Sequence, residues 1–252
     1  MADWAAQAGS GIRFEWGSTG AARLAPGVAC LMIVDVLSFT TAVCVAVQSG
    51  TRVYPCPWRD ERAAAFAAQK DARLAVGRRS VTPATPWSLS PAGLRKAPFT
   101  PRLVLPSPNG SALAATAPDL PVVAACLRNV TAVGSWLTAQ GYGTAHRPVA
   151  VIAAGERWPD GTLRPALEDL LGAGALLSDL HAQGAGPLSA EAAAGLACSE
   201  CTADIPHAVA TSASGRELTA MGFAEDVAIA TDEDACTVVP VLDDDGAFAA
   251  VL

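Results

Sequence analysis

Short, continuously apolar runs alternate along this chain with longer amphipathic segments, and that alternation restricts the fold more than any other feature. Val28 to Val34 precedes Thr41 to Gln48, Thr51 to Tyr54 precedes Asp60 to Gln69, and Leu103 to Leu105 precedes a turn and the Ala-rich Ala112 to Ala117. Val122 to Ala125 then precedes Val130 to Ala139, and Val149 to Ala153 leads towards Leu167 to Leu180. Apolar runs of about four to eight residues read as buried strands, and longer segments with apolar residues three and four apart read as helices. The pattern predicts an α/β fold: a three-layer α/β/α arrangement around a mainly parallel sheet with right-handed crossovers, in one lobe or two. In such a sheet ligands gather beyond the carboxyl ends of the strands.

Three stretches interrupt the rhythm. Ser80 to Pro108 carries prolines at 83, 86, 91, 98, 101, 106 and 108, which restrict φ and remove backbone donors. It reads as a long loop, a lid or a lobe boundary within 80–108. Gly155 to Pro165 is also irregular. Val238 to Leu252 holds two short apolar runs around Asp243-Asp244-Asp245-Gly246, which predicts a closing hairpin with its aspartates in a solvated turn.

At 252 residues and 51% hydrophobic, the chain can bury one sizeable core or two modest ones. A net charge of -7 with scattered Lys and Arg argues against a nucleic-acid partner but leaves small anions open. No apolar run approaches the roughly 18 residues of a membrane span, and the start, with Asp3 and Glu15 and no basic region, does not resemble a signal peptide. A cytoplasmic chain without a membrane partner is expected. The seven cysteines, among them Cys30, Cys44 and Cys126 in apolar segments, read as reduced core thiols. Cys198 and Cys201 have C-x-x-C spacing without a second ligand pair nearby, and His146, His181 and His207 have no ligand-like spacing, so the pair reads as coincidental on a helix.

Candidate chemistry lies at the strand ends. Asp35 follows the apolar run Ala29 to Val34 and opens a hydroxyl-rich turn through Ser38, Thr40 and Thr41. It reads either as a carboxylate delivered to a wet sheet edge, where ionisation is tolerable, or as a cap of the next helix. Ser107-Pro108-Asn109-Gly110-Ser111 reads either as a phosphate cradle at a helix start or as a tight turn. Glu168 and Asp169, after Ala153-Ala154-Gly155-Glu156-Arg157, either complement a helix dipole or join Asp35 as hard oxygen ligands for Mg²⁺.

Taken in order, these motifs resemble the 2-phosphosulfolactate phosphatase family, Mg²⁺-dependent enzymes of coenzyme M biosynthesis, over nearly the whole chain. The family's Asp-x-Leu-Arg-Ala-Thr-Thr is similar to Asp35 to Thr41, its Thr-Thr-Asn-Gly-Thr to Ser107 to Ser111, and its following Asn to Asn129. Its Ala-Gly, Glu-Asp and Ala-Gly series is similar to Ala154-Gly155, Glu168-Asp169 and Ala173-Gly174, and its closing stretch to Ser214 through Val241. The chain departs at Ser38, where the family has Arg, at Arg78, where it has Glu, and at Leu89, where Asn precedes Ser90-Pro91.

The resemblance implies one domain over 1–252 that hydrolyses a small phosphorylated anion, 2-phosphosulfolactate or a similar phosphorylated hydroxy acid. Asp35, Glu168 and Asp169 are then the catalytic and metal-binding set. Substrate contacts fall to Thr40, Thr41, Ser90, Ser107, Asn109, Gly110, Ser111, Arg128, Asn129 and Arg157. Arg128 and Arg157 are chosen because each follows a predicted strand beside a matched motif. Attack by water is favoured over an aspartyl-phosphate on Asp35, because Leu37 stands where a second Asp would protonate the leaving group. The altered positions 38 and 78 also admit two alternatives: a non-catalytic small-anion binder on the same scaffold, and a phosphatase or lyase for another phosphorylated hydroxy acid. A homodimer is compatible with the sequence.

Overall fold

The computed structural model of the chain describes residues 3–116 and 120–251. Its strands are β1 (Ile12–Trp16), β2 (Cys30–Val34), β3 (Arg52–Cys56), β4 (Arg73–Leu74), β5 (Arg102–Pro106), β6 (Val122–Ala125), β7 (Val149–Ala153), β8 (Glu156–Arg157), β9 (Leu163–Arg164), β10 (Pro240–Leu242) and β11 (Phe248–Ala250). All but the small β8–β9 pair join one nine-stranded sheet of order β1-β7-β2-β6-β10-β11-β3-β5-β4. The blocks β1-β7-β2-β6 and β3-β5-β4 are parallel, so the sheet is mostly parallel, as the alternation predicts.

The closing hairpin forms, but in the middle of the sheet. β10 pairs antiparallel with β6, and β11 antiparallel with β3, so the two parallel blocks run in opposite senses. Its aspartates do more than face solvent. Asp245 accepts hydrogen bonds from Tyr54 Oη (2.6 Å), Lys70 Nζ (2.9 Å) and Arg52 Nη2 (3.2 Å), and Asp243 accepts from Arg52 Nη2 at 2.7 Å. Chiefly the Tyr54 and Lys70 bonds hold the Asp245 carboxyl down at about 2.

The helices are α1 (Gly17–Leu24), α2 (Phe39–Gln48), α3 (Glu61–Gln69), α4 (Pro91–Lys96), α5 (Gly110–Ala114), α6 (Val130–Ala139), α7 (Leu167–Ala182), α8 (Ala190–Glu200), α9 (Ile205–Thr211), α10 (Ala213–Ala220) and α11 (Ala224–Ala230). The strand period of two sorts β2 between two cores. Cys30, Met32 and Val34 meet α6 and α7 through Val133, Leu137, Leu171 and Leu176, whereas Leu31 and Ile33 meet α1, α2 and α5 through Leu24, Val43 and Leu113. Every β2 side chain is therefore buried, each large one stabilising the fold by about 1.5–3 kcal/mol. Helices on both faces give the three layers.

Some elements differ from expectation. β1 is interrupted in sequence by Arg13 and Glu15; Arg13 is buried because its Nε and Nη1 donate to the Ser10 and Ala6 carbonyls at 3.2 and 2.9 Å. The proline-rich stretch contains α4 and β5. Ser90 caps α4 by accepting from Gly93 N at 3.0 Å, and Pro91 occupies the first turn, where its missing N–H costs nothing. The helix expected over Ala112 to Ala117 begins at Gly110; Ala117 itself lies outside the described residues. Cys198 lies on α8 and Cys201 caps its end, both free thiols. Among the described residues no helix is long and apolar enough to cross a membrane.

Candidate active site

Asp35 follows the last residue of β2 and is buried there, not at a wet edge; its contact with the start of the next helix is the feature that the capping reading expects. Its Oδ1 accepts from the Phe39 amide that opens α2 at 3.1 Å, and its Oδ2 accepts from the Gly110 amide that opens α5 at 3.0 Å. The carboxylate thus caps one helix and meets another. Gly110 is required here, because a Cβ would enter the Phe39 ring and stand 2.8 Å from Asp35 Oδ2. The neighbouring hydroxyls turn back on their own loop: Thr40 Oγ1 donates to Asp35 O at 2.9 Å and Thr41 Oγ1 to Val36 O at 2.8 Å.

The first turn of α7 reaches the same place. Asp169 Oδ1 accepts from Val36 N at 2.7 Å, and its Oδ2 accepts from Gly155 N at 2.9 Å, so it ties the loop after β2 to the loop after β7. Gly155 has φ +67, which suits glycine, and it presents Glu156 to Asn109, whose Nδ2 donates to Glu156 Oε2 at 2.9 Å. Glu168 is only 2% exposed and adds its negative charge to Asp35, Glu156 and Asp169.

Four carboxylates of Asp35, Glu156, Glu168 and Asp169 therefore converge, and among the described residues no Lys, Arg or His forms an ion pair with any of them. Burial first, then the charges of Glu156 and Glu168, push Asp35 up to about 7 against the opposing Phe39 and Gly110 amides. Burial and the charges of Asp35 and Glu168 raise Asp169 well above the ordinary carboxylate range. Burial also raises Glu156, reinforced by Glu168 and opposed by Asn109 and Arg164. Such a cluster needs either protons or a cation.

The donor set is all hard oxygen, which suits Mg²⁺. Among the described residues no three His, Cys, Asp or Glu side chains are placed to hold a metal together. Mg²⁺ does not require such a cage, since one or two carboxylates with waters and substrate oxygens are its usual set. The residues present therefore fit the ion through Asp35 and Glu168.

The other expected contacts divide. Asn109 and Gly110 join the cluster, but as donors to Glu156 and Asp35, and Ser111 Oγ donates to Leu105 O at 3.2 Å. The turn thus orients carboxylates through the very donors that a phosphate cradle would use. Ser107 is buried beside it, its amide donating to Cys56 O at 3.0 Å. Arg157 is exposed and donates to Gly161 O at 3.0 Å, on a cavity of about 300 Å³ that Asn109 and Glu156 also line.

Arg128, Asn129 and Ser90 are occupied elsewhere. Arg128 is 1% exposed, its guanidinium donating to Ile229 O (2.9 Å), Asp232 Oδ2 (3.0 Å) and Ala235 O (3.4 Å), which places it against the C-terminal segment instead of a ligand. Asn129 is fully buried; its Nδ2 donates to Ala124 O and Val238 O at 3.3 and 3.1 Å, while its Oδ1 accepts from Cys126 N at 2.9 Å. Ser90 Oγ donates to Asp226 Oδ1 at 2.6 Å besides capping α4.

Two features escaped the sequence reading. Glu156 belongs to the cluster, and its position directly after a strand-ending Ala-Gly was the signal available. Asp226, fully buried, accepts from Arg78 Nε at 3.1 Å, and Arg78 Nη2 donates to Ser38 Oγ at 2.7 Å. The two departures from the family pattern, at 38 and 78, are thus in direct contact.

With this geometry in place, comparison with known proteins adds two findings. No curated protein matches the chain. A family model described as 2-phosphosulpholactate phosphatase matches residues 21–245.

Proposed function

Because the chain belongs to the 2-phosphosulpholactate phosphatase family, we propose that it hydrolyses a small, multiply anionic phosphate monoester with the help of Mg²⁺. 2-Phosphosulfolactate and other phosphorylated hydroxy acids are the substrates to test first. The observation that carries the reading is the meeting of Asp35, Glu156, Glu168 and Asp169 with no ion pair to any of them among the described residues.

Asp35 and Glu168 would hold the metal, which supplies charge neutralisation at the phosphoryl oxygens when bound. Asp169 is a positioning residue: by bridging Val36 N and Gly155 N it keeps the loops after β2 and β7 in register. Glu156, partly exposed beside Asn109 and raised in pKa, is placed to take a proton from an attacking water. The new P–O bond comes from that water, the ester P–O bond breaks, and the proton that Glu156 took passes to the leaving alkoxide to give the alcohol. Both Asp35 oxygens already accept amide hydrogen bonds, which weakens Asp35 as a nucleophile and supports the water route.

The test is release of inorganic phosphate from 2-phosphosulfolactate and related phosphorylated hydroxy acids, with Mg²⁺ and with EDTA. Metal-dependent release that disappears in Asp35→Ala is the expected result. Tight binding of these anions with no turnover would replace the hydrolase by the anion-binding alternative. A burst with a trapped acyl-phosphate on Asp35 would reverse the choice of mechanism.

A further inference from the structure

From the cavity that Glu156 and Asn109 share with the β8–β9 hairpin, we infer that Leu163 is a specificity-determining residue, which sets how large a hydroxy acid can be carried on the phosphate. The inference rests on the hydrolase reading above. The cavity has a volume of about 300 Å³, and Glu156, the group placed to take the proton from the attacking water, lines it. A base has to be within hydrogen-bond reach of that water, so the ester under attack lies in this cavity or at its mouth. Trp16, Leu113 and Leu163 are its large apolar wall residues.

Leu163 is 41% exposed, as a surface residue would be, yet its position is fixed from two sides. Gly17, which opens α1, has φ +61, and Gly155, which follows β7 closely, has φ +67. A Cβ at Gly17 would stand 3.2 Å from Leu163 Cδ1, and one at Gly155 2.7 Å from the same carbon, so that methyl group occupies the room the two glycines leave. The Gly155 amide is in turn held by Asp169. Across the hairpin Leu163 pairs with Arg157, and the turn between them is closed by Trp158 N donating to Thr162 O and Gly161 N to Trp158 O, both at 2.9 Å. Leu163 is therefore a wall tied to the carboxylate cluster through the loop after β7.

The volume lies at the lower end of the range of about 300–1,000 Å³ for ligand pockets, which suits a short hydroxy acid and leaves little room for a bulky one. In an apolar pocket a single methylene can already change selectivity by about tenfold or more. Leu exceeds Ala by an isopropyl group, so this one side chain is large enough to decide between esters.

The experiment compares kcat/KM for phosphate release from 2-phospholactate and from 2-phospho-3-phenyllactate in Mg²⁺, using the full chain as wild type, Leu163→Ala and Leu163→Phe. The wild type should prefer the smaller ester by about tenfold or more, Leu163→Ala should reduce that preference by about tenfold, and Leu163→Phe should increase it. A merely structural role would change both esters alike and leave the ratio unmoved. No preference in the wild type, or the same ratio in all three proteins, would overturn the inference. Failure of the hydrolase reading looks different, since none of the proteins would then release phosphate from either ester. The intact esters would in that case be titrated calorimetrically, with the same ratios expected in Kd and a ratio unchanged by Leu163→Ala again overturning the inference.

Discussion

A carboxylate that accepts two backbone amides fixes two segments at once, and Asp169 does this for Val36 and Gly155. Asn in its place would turn an N–H donor towards one of those N–H groups. Asp169→Asn should therefore destabilise the protein by about 1–3 kcal/mol, read as a lower midpoint in urea unfolding at pH 7.5. An unchanged midpoint would mean that the two amides find other acceptors. Gly110→Ala is expected to cost about 1–3 kcal/mol by overpacking against Phe39 and to impair turnover by displacing Asp35. Stability equal to wild type would remove the close approach from the site's design. At this scale the sequence singled out Asp35, Glu168 and Asp169 as candidates, because carboxylates at strand ends and helix starts are costly unless used, and the fold brings the three near one another. Arg128 was not, since sequence position does not reveal that a guanidinium turns inward to three acceptors on the C-terminal segment.

The hairpin of β10 and β11 decides how the larger elements meet, because it stitches β6 to β3. Its turn is tied to β3 and α3 through Asp245, whose carboxyl is held at about 2 by Tyr54 and Lys70. A carboxyl depressed on folding adds stability above its unfolded value near 3.9 and loses it as pH falls through the folded value. The Tm difference between wild type and Asp245→Asn should accordingly be present at pH 5 and shrink between about pH 4 and pH 2. A difference that stays constant across that window would show that the titrating carboxylate is not what ties the turn. The strands of β2, β3, β5, β6 and β7 could be read in advance because both of their faces are buried in apolar runs. The hairpin was legible as local structure, but its insertion between the blocks was not, because β10 and β11 are short and their partners lie far away in sequence. Similarly, Pro91 looked like a breaker, whereas a first-turn proline after a Ser cap starts α4.

For the molecule as a whole, folding brings like charges together on one side of β2. A ligand that binds only the folded state stabilises it by RT ln(1 + [L]/Kd), about 2.7 kcal/mol at a hundredfold excess over Kd. Mg²⁺ should therefore raise the Tm in a concentration-dependent way, and Glu168→Gln should abolish the rise while leaving the metal-free Tm at or above that of wild type, since it removes one negative charge from beside Asp35 and Asp169. A Mg²⁺-induced rise preserved in Glu168→Gln would place the ion elsewhere. Glu168 stood out from its motif, but that its charge acts on Asp35 and Asp169 emerges only once α7 is docked on β2. The most direct measurement is phosphate release from 2-phosphosulfolactate by wild type and Glu168→Gln, side by side, in Mg²⁺ and in EDTA. Turnover confined to wild type in Mg²⁺, with a loss of about 10²-fold or more in the variant, is the expected result. Turnover indifferent to EDTA and to Glu168→Gln would contradict a metal-dependent reaction at these carboxylates.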